Sequence, residues 1–240
     1  MGRRGGQMNK AVLIDELVLA NRILAHEGVL DAFGHVSVRD PDDANAFYLS
    51  CSRSPGLVAA GDIMRFDLDG KILEGDGKPY LERVIHGAIL KARPDVASVV
   101  HHHAPSVLPF ALVETRLRPV FHLGAVAGET VPVWDSQDAF GDTSLLVSDT
   151  PMAASLAAAL GDRPAVLLKR HGAVCVGRDI AQAVFVSICM RDNAELLAKA
   201  LALGGPSYLT PGEITQAAAK HDDGAPVARA WEYWASRVRG

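Results

Sequence analysis

The run Val96–His103, Val-Ala-Ser-Val-Val-His-His-His, constrains this chain more than any other stretch. It lies between Pro94 and Pro105, is short, and is rich in valine, which predicts a buried strand. Side chains alternate faces along a strand. His101 and His103 therefore share one face, and His102 takes the other. Two imidazoles one pleat apart both reach a single metal ion, at about 2.0–2.1 Å for zinc. Burying such a pair without a ligand or partner is costly. The fold must therefore bring something to this strand end.

The flanking sequence supplies helices and strands in close alternation. Leu13, Leu17, Ala20, Ile23 and Leu24 recur at helical spacing and predict a helix over 10–27, stopped by Gly28. Residues 33–39 and 47–51 read as two strands around the turn at 41–45. Residues 63–68 and 71–73 read as a hairpin closed by Asp69-Gly70. A helix is expected over 80–92, with Glu82 in its first turn and His86 one turn later on the same side. Further strands are expected at 131–134 and at 166–172, with 173–176 continuing the latter. Further helices are expected around 155–160, over 180–203, and over 210–238 with a break near Gly224. Most strands are too close together for βαβ crossovers. The expectation is a mainly antiparallel sheet with helices packed around it.

A length of 240 residues suits one domain, taken as 10–240, and the Gly/Arg-containing prefix 1–9 reads as a disordered extension. A net charge of -4 gives no electrostatic reason to expect nucleic acid or an anionic membrane as a partner. No apolar run reaches membrane-spanning length. Cys51, Cys175 and Cys189 form no metal or disulfide pattern and point to a reducing cytoplasm.

His171 ends its strand run as His103 ends its own. If the two strands share a sheet, three imidazoles converge, and Glu82 can add a carboxylate. Three protein ligands with an open position is the pattern of a catalytic metal site. An all-nitrogen-and-oxygen set suits Zn, Mn, Fe or Co without choosing among them.

In combination these pieces resemble the class II aldolase/adducin family. The resemblance rests on Gly34-His35-Val36-Ser37-Val38-Arg39, on Glu82 with His86, on Arg93-Pro94-Asp95-Val96 leading to the three histidines, and on Lys169-Arg170-His171-Gly172-Ala173. It covers about residues 10–205. It implies a three-layer α/β/α fold with a central, mainly antiparallel sheet, and a homotetramer with sites near subunit interfaces. It implies His101, His103 and His171 as ligands of a divalent metal, Mn2+ ahead of Zn2+, and Glu82 as the catalytic carboxylate.

The departures narrow the chemistry. Sugar-phosphate aldolases and epimerases of the family carry Asn where this chain has His35. They carry a Thr-Gly or Ser-Gly phosphate loop where it reads Ser52-Arg53-Ser54-Pro55, and a Ser-Ser pair where it reads Tyr80-Leu81. An arginine fork suits a planar carboxylate, and Tyr80 suits an aromatic ring. The pattern is similar to the decarboxylase branch. Its members act on hydroxylated aromatic dicarboxylates such as 3-hydroxy-2-methylpyridine-4,5-dicarboxylate of vitamin B6 degradation, or on hydroxylated phthalates. Arg53, His35, Ser52 and Tyr80 are then the expected substrate residues. A sugar-phosphate aldolase or epimerase is the alternative, and a non-catalytic adducin-like interaction domain the second alternative.

Overall fold

The computed structural model describes residues 10–222 and 224–239; the extension expected at 1–9 lies outside the described residues. In chain order the elements are α1 (Lys10–His26), β1 (His35–Arg39), β2 (Ala46–Ser50), β3 (Ile63–Asp67), β4 (Ile72–Glu74), α2 (Arg83–Ala92), β5 (Ser98–His102), β6 (Val133–Trp134), α3 (Ser136–Phe140), α4 (Thr150–Leu160), β7 (Ala165–Leu168), β8 (Gly172–Gly177), α5 (Ile180–Ala202), α6 (Pro211–Asp222) and α7 (Ala225–Ser236). The strands form one eight-stranded sheet in the order β4-β3-β2-β1-β5-β8-β7-β6. Every pairing is antiparallel except that of β6 with β7.

The sheet buries both faces, so its central strands carry apolar residues at odd and even positions alike. On one face Val36, Val38, Val100, Ala173 and Cys175 pack with α1 and α5. On the other, Phe47, Leu49, Val99, Val174 and Val176 pack with α2 and α4. This is the three-layer α/β/α arrangement with a mainly antiparallel centre. The central strand β5 lies between β1 and β8, in register His35↔His101 and His102↔Ala173. Both neighbours therefore deliver their ends to the histidine run.

Arg39 ties the edge of this frame together. Its guanidinium donates to the carbonyls of Ala44, Leu90, Arg93 and Val96. It thus satisfies orphan carbonyls at the C-terminal end of α2 and fixes the α2–β5 connection.

One expectation needs correcting. Residues 166–176 are not a continuous strand. They form a tight hairpin, β7 and β8, turned at Lys169-Arg170-His171, with Arg170 in the left-handed region at φ 62. His171 therefore precedes β8 and does not end β7. The apolar run on both sides hid the turn, which lacks the glycine at its left-handed position that usually signals one. Gly172 follows instead, because a Cβ there would lie 2.5 Å from the His102 carbonyl oxygen.

Candidate active site

The alternation of β5 sorts its histidines. His101 and His103 face the α2 side. His102 is buried on the α5 side, where its Nδ1 accepts from the Ala104 N–H and its Nε2 lies 3.8 Å from Cys175 Sγ. Burial holds the His102 imidazole down at about 3.

His101 is fully buried, and its Nδ1 lies 3.1 Å from the Ala173 carbonyl oxygen. A carbonyl can only accept, so this nitrogen carries the proton and Nε2 is bare. His103, one residue past β5, has its Nδ1 3.1 and 3.2 Å from the two Asp31 carboxylate oxygens. The same argument leaves its Nε2 bare. The two Nε2 atoms are 3.2 Å apart. Two lone pairs at that distance repel unless a cation lies between them. An ion with ligands at about 2.1 Å and angles of about 90–110° sets its donor atoms about 3.0–3.4 Å apart. The donor set thus fits a divalent metal.

His171 brings a third imidazole from the β7–β8 turn. The ligand nitrogens of His101, His103 and His171 all lie within 4.8 Å of one another. Its Nδ1 is buried beside the Leu145 backbone without a well-formed hydrogen bond. Burial, reinforced by His101, pushes the His171 imidazole down to about 4. Burial, with His101, also lowers the His103 imidazole, against the pull of Asp31. Neutral imidazoles are the form that binds metal.

Glu82 lies at the N-cap position of α2, one residue ahead of the first turn expected for it, and makes no capping hydrogen bond with its side chain. Its Oε1 accepts from the Val147 N–H at 2.9 Å, and its Oε2 lies 3.6 Å from both His101 Nε2 and His171 Nε2. Burial alone would raise this carboxyl. The His101 and His171 imidazoles beside it and the Val147 amide outweigh it and bring it to about 2. Glu82, His35 and His101 form a second cluster with donor atoms within 4.8 Å.

His35 opens β1 opposite His101, with ring centroids 5.1 Å apart. Its Nδ1 lies 2.7 Å from His86 Nε2, and His86 Nδ1 lies 2.6 Å from Ser37 Oγ. All three side chains are buried. Burial, with the neighbouring imidazoles, holds His35 well below its ordinary range and His86 at about 3.

His35, Glu82, His103 and His171 line a cleft of about 560 Å3. Phe33, Tyr80, Leu81 and Leu146 form apolar walls, and Ser52 and Arg53 sit at the rim. The Arg53 Nε donates to the Leu57 carbonyl and lies 3.4 Å from Asp62 Oδ2, so this cation is tethered in its loop. Tyr80 presents its ring to His35 at 4.5 Å between centroids, but its hydroxyl donates to the Arg53 carbonyl and accepts from the Arg53 N–H. The expected substrate residue thus also braces the loop. Seven of the eight sequence-predicted site residues, His35, Ser52, Arg53, Tyr80, Glu82, His103 and His171, line this one cleft, and the eighth, His101, is buried with its ligand nitrogen clustered among theirs. Sequence reasoning missed Asp31, Ser37, Leu146, Val147 and the contact of His86 with His35. Only the Ser37 and His86 spacings carried any sequence signal.

A family model described as the class II aldolase and adducin N-terminal domain matches residues 15–198. The decarboxylase tropJ of Talaromyces stipitatus is 32% identical over 241 residues, 90% of each chain. A 3,4-dihydroxyphthalate decarboxylase of Arthrobacter keyseri is 31% identical over 85% of each. Among solved structures, an L-fuculose 1-phosphate aldolase superposes with a TM-score of 0.73 at 22% identity, over 91% of this chain and 100% of that one.

Proposed function

Because the chain belongs to the class II aldolase and adducin family, we propose that it is a divalent-metal-dependent carbon–carbon lyase that decarboxylates a hydroxylated aromatic dicarboxylate. The observation that carries this reading is the cleft itself: bare imidazole nitrogens and an ionised carboxylate lie beneath flat apolar walls, with an arginine at the rim. The two decarboxylase relatives support it. The dihydroxyphthalate relative makes a hydroxyphthalate the first substrate to try. The pyridine dicarboxylate of vitamin B6 degradation comes second.

His101, His103 and His171 would hold the ion, Mn2+ before Zn2+. When bound, it supplies Lewis acidity to the substrate oxygen beside the bond that breaks. Glu82 starts ionised, takes the proton of the ring hydroxyl and gives it to the ring carbon that bears the departing carboxylate. The carbon–carbon bond then breaks, its electron pair restores the aromatic ring, and carbon dioxide leaves. Water returns a proton to the ring oxygen. Arg53 and His35 hold the second carboxylate, and Tyr80 lies against the ring. The homotetramer that the resemblance implies and the reducing cytoplasm that the cysteines point to belong to this proposal, and light scattering of the purified protein tests the assembly.

The deciding experiment incubates Mn2+-loaded protein with 3,4-dihydroxyphthalate, with the pyridine dicarboxylate and with ketose phosphates. Carbon dioxide release from an aromatic dicarboxylate is expected. Aldehyde release from a ketose phosphate, with no carbon dioxide from either aromatic acid, would assign the aldolase reaction instead. A protein that takes up no metal would remove both.

A further inference from the structure

Ser37, His86 and His35 form a hydrogen-bonded chain that runs from the interior to the floor of the cleft, and the ends of this chain fix its direction. Ser37 is fully buried on β1. The polar contact of its hydroxyl is with His86 Nδ1, at 2.6 Å. A buried hydroxyl proton is spent on an acceptor wherever one is in reach. The Ser37 hydroxyl therefore donates, and His86 Nδ1 accepts. The Val99 carbonyl also lies beside this ring, but the partner at hydrogen-bond distance from Nδ1 is the Ser37 hydroxyl. A neutral imidazole whose Nδ1 accepts carries its proton on Nε2. His86 Nε2 then donates to His35 Nδ1 across 2.7 Å. The same rule, applied once more, puts the His35 proton on Nε2, the nitrogen left for the cleft that His35 lines. Its surroundings agree: the Glu82 carboxylate and a bare nitrogen of His101 are acceptors, and both belong to the cluster that includes His35.

We propose that Ser37 and His86 are positioning residues that lock His35 as an Nε2–H donor, so that His35 reads a substrate carboxylate oxygen and is barred from the metal set. The second half of this statement separates the two clusters that share His101. His101 and His103 have their protons on Nδ1 and offer bare Nε2 atoms. His35 has the opposite tautomer and offers a proton. A cation is drawn to the first arrangement and an anionic oxygen to the second. The chain is closed at its inner end, since Ser37 is fully buried, so it sets a tautomer and does not conduct protons to solvent. The substrate half rests on the proposed decarboxylase reading; the tautomer half does not.

The test uses Zn2+-loaded protein with 15N-labelled histidine. Long-range proton–nitrogen spectra report which ring nitrogen bears hydrogen. His35 in the Nε2–H form is expected in the parent and in Ser37→Thr. Ser37→Ala removes the hydroxyl donor to His86 and should turn the chain around, leaving His35 Nε2 bare. With an aromatic dicarboxylate, Ser37→Ala should raise KM about tenfold or more, the usual effect of losing a hydrogen bond to a charged group, while kcat changes less. Ser37→Thr should restore KM. Bound zinc should stay at the parent level in both variants. His35 protonated on Nδ1 in the parent overturns the proposal, and so does a reversed chain in Ser37→Ala with an unaltered KM. If the parent releases no carbon dioxide from any dicarboxylate, the decarboxylase reading fails, and the spectra still decide the tautomer.

Discussion

Asp31 has no motif of its own, yet it connects the loop before β1 to the proposed metal centre. Its carboxylate accepts from the Phe33 and Gly34 amides and from His103 Nδ1. Burial would raise this carboxyl; those three donors outweigh it and hold it below its ordinary range. A carboxylate behind a ligating imidazole fixes its tautomer and raises its basicity. Asp31→Ala should therefore lower metal affinity about 10–100-fold, read by Zn2+ titration against a chelating dye. His101→Ala, His103→Ala and His171→Ala should each lose metal and activity together. His102→Ala should keep its metal, because that ring lies on the far face against Cys175. A His102 variant that loses metal while a His101 variant keeps it would refute the ligand assignment. Glu82→Gln separates two roles for the carboxylate. It should keep its metal and lose turnover by roughly 10²–10⁴, as expected for removal of a general acid–base. Loss of metal in that variant would make Glu82 a ligand, and near-parent rates would remove it from the mechanism.

At the scale of elements, the site depends on how closely α2 approaches the β3–β4 turn. A Cβ on Gly87 would lie 2.2 Å from the Leu68 carbonyl oxygen and 2.8 Å from its carbon. Both are backbone atoms, so neither can swing aside. Gly87→Ala must push α2 outward or distort the turn, at a cost of about 1–3 kcal/mol for overpacking. Because α2 carries His86 and follows directly on Glu82, activity should fall along with the urea midpoint. Unchanged activity and midpoint would show that α2 tolerates the shift. The elements with a strong repeating pattern were legible in the sequence: α1, α5 and the break at Gly224, where φ is 82, lie close to where they were expected. The same holds for the face alternation of β5, since a valine run ending in histidines leaves little freedom of register. What was not legible lacks period or turn chemistry. The segment before α4 delivers Leu146 and the Val147 amide to the cleft through Leu145 at φ 66, a conformation that leucine does not advertise. The short α3 and the 3-10 turns at Leu108–Ala111 and His122–Ala127 are too brief to show a face. Glu82 was found by residue type and spacing, but its partner Val147, 65 positions on, was beyond any local rule.

Across the whole molecule, the two sheet faces each bury an imidazole that burial holds at about 3, His86 on the α2 side and His102 on the α5 side. Burial favours the uncharged ring, and the same effect keeps His171 at about 4 and available as a ligand. It also makes the fold sensitive to acid. The unfolded chain protonates its histidines near 6.5, whereas the native state resists until about 3. Between those values the unfolded state binds more protons, so stability rises with pH. The stability these groups contribute is complete above about 6.5 and is lost progressively as pH falls toward about 3. Each such ring contributes a slope of up to about 1.4 kcal/mol per pH unit in that window. His102 is the informative one, because it is outside the proposed centre and its two contacts are with Ala104 and Cys175. His102→Gln, whose side chain does not titrate, should unfold at a lower urea concentration than the parent at pH 7. Its midpoint should then fall less steeply than the parent's between pH 6.5 and 4.5, a comparison in which the carboxylates shared by both proteins cancel. The measurement is a urea titration of metal-free protein at four or five pH values. Equal slopes for parent and variant would mean that His102 is not neutral in the native state, and would undo the account of burial given for both faces.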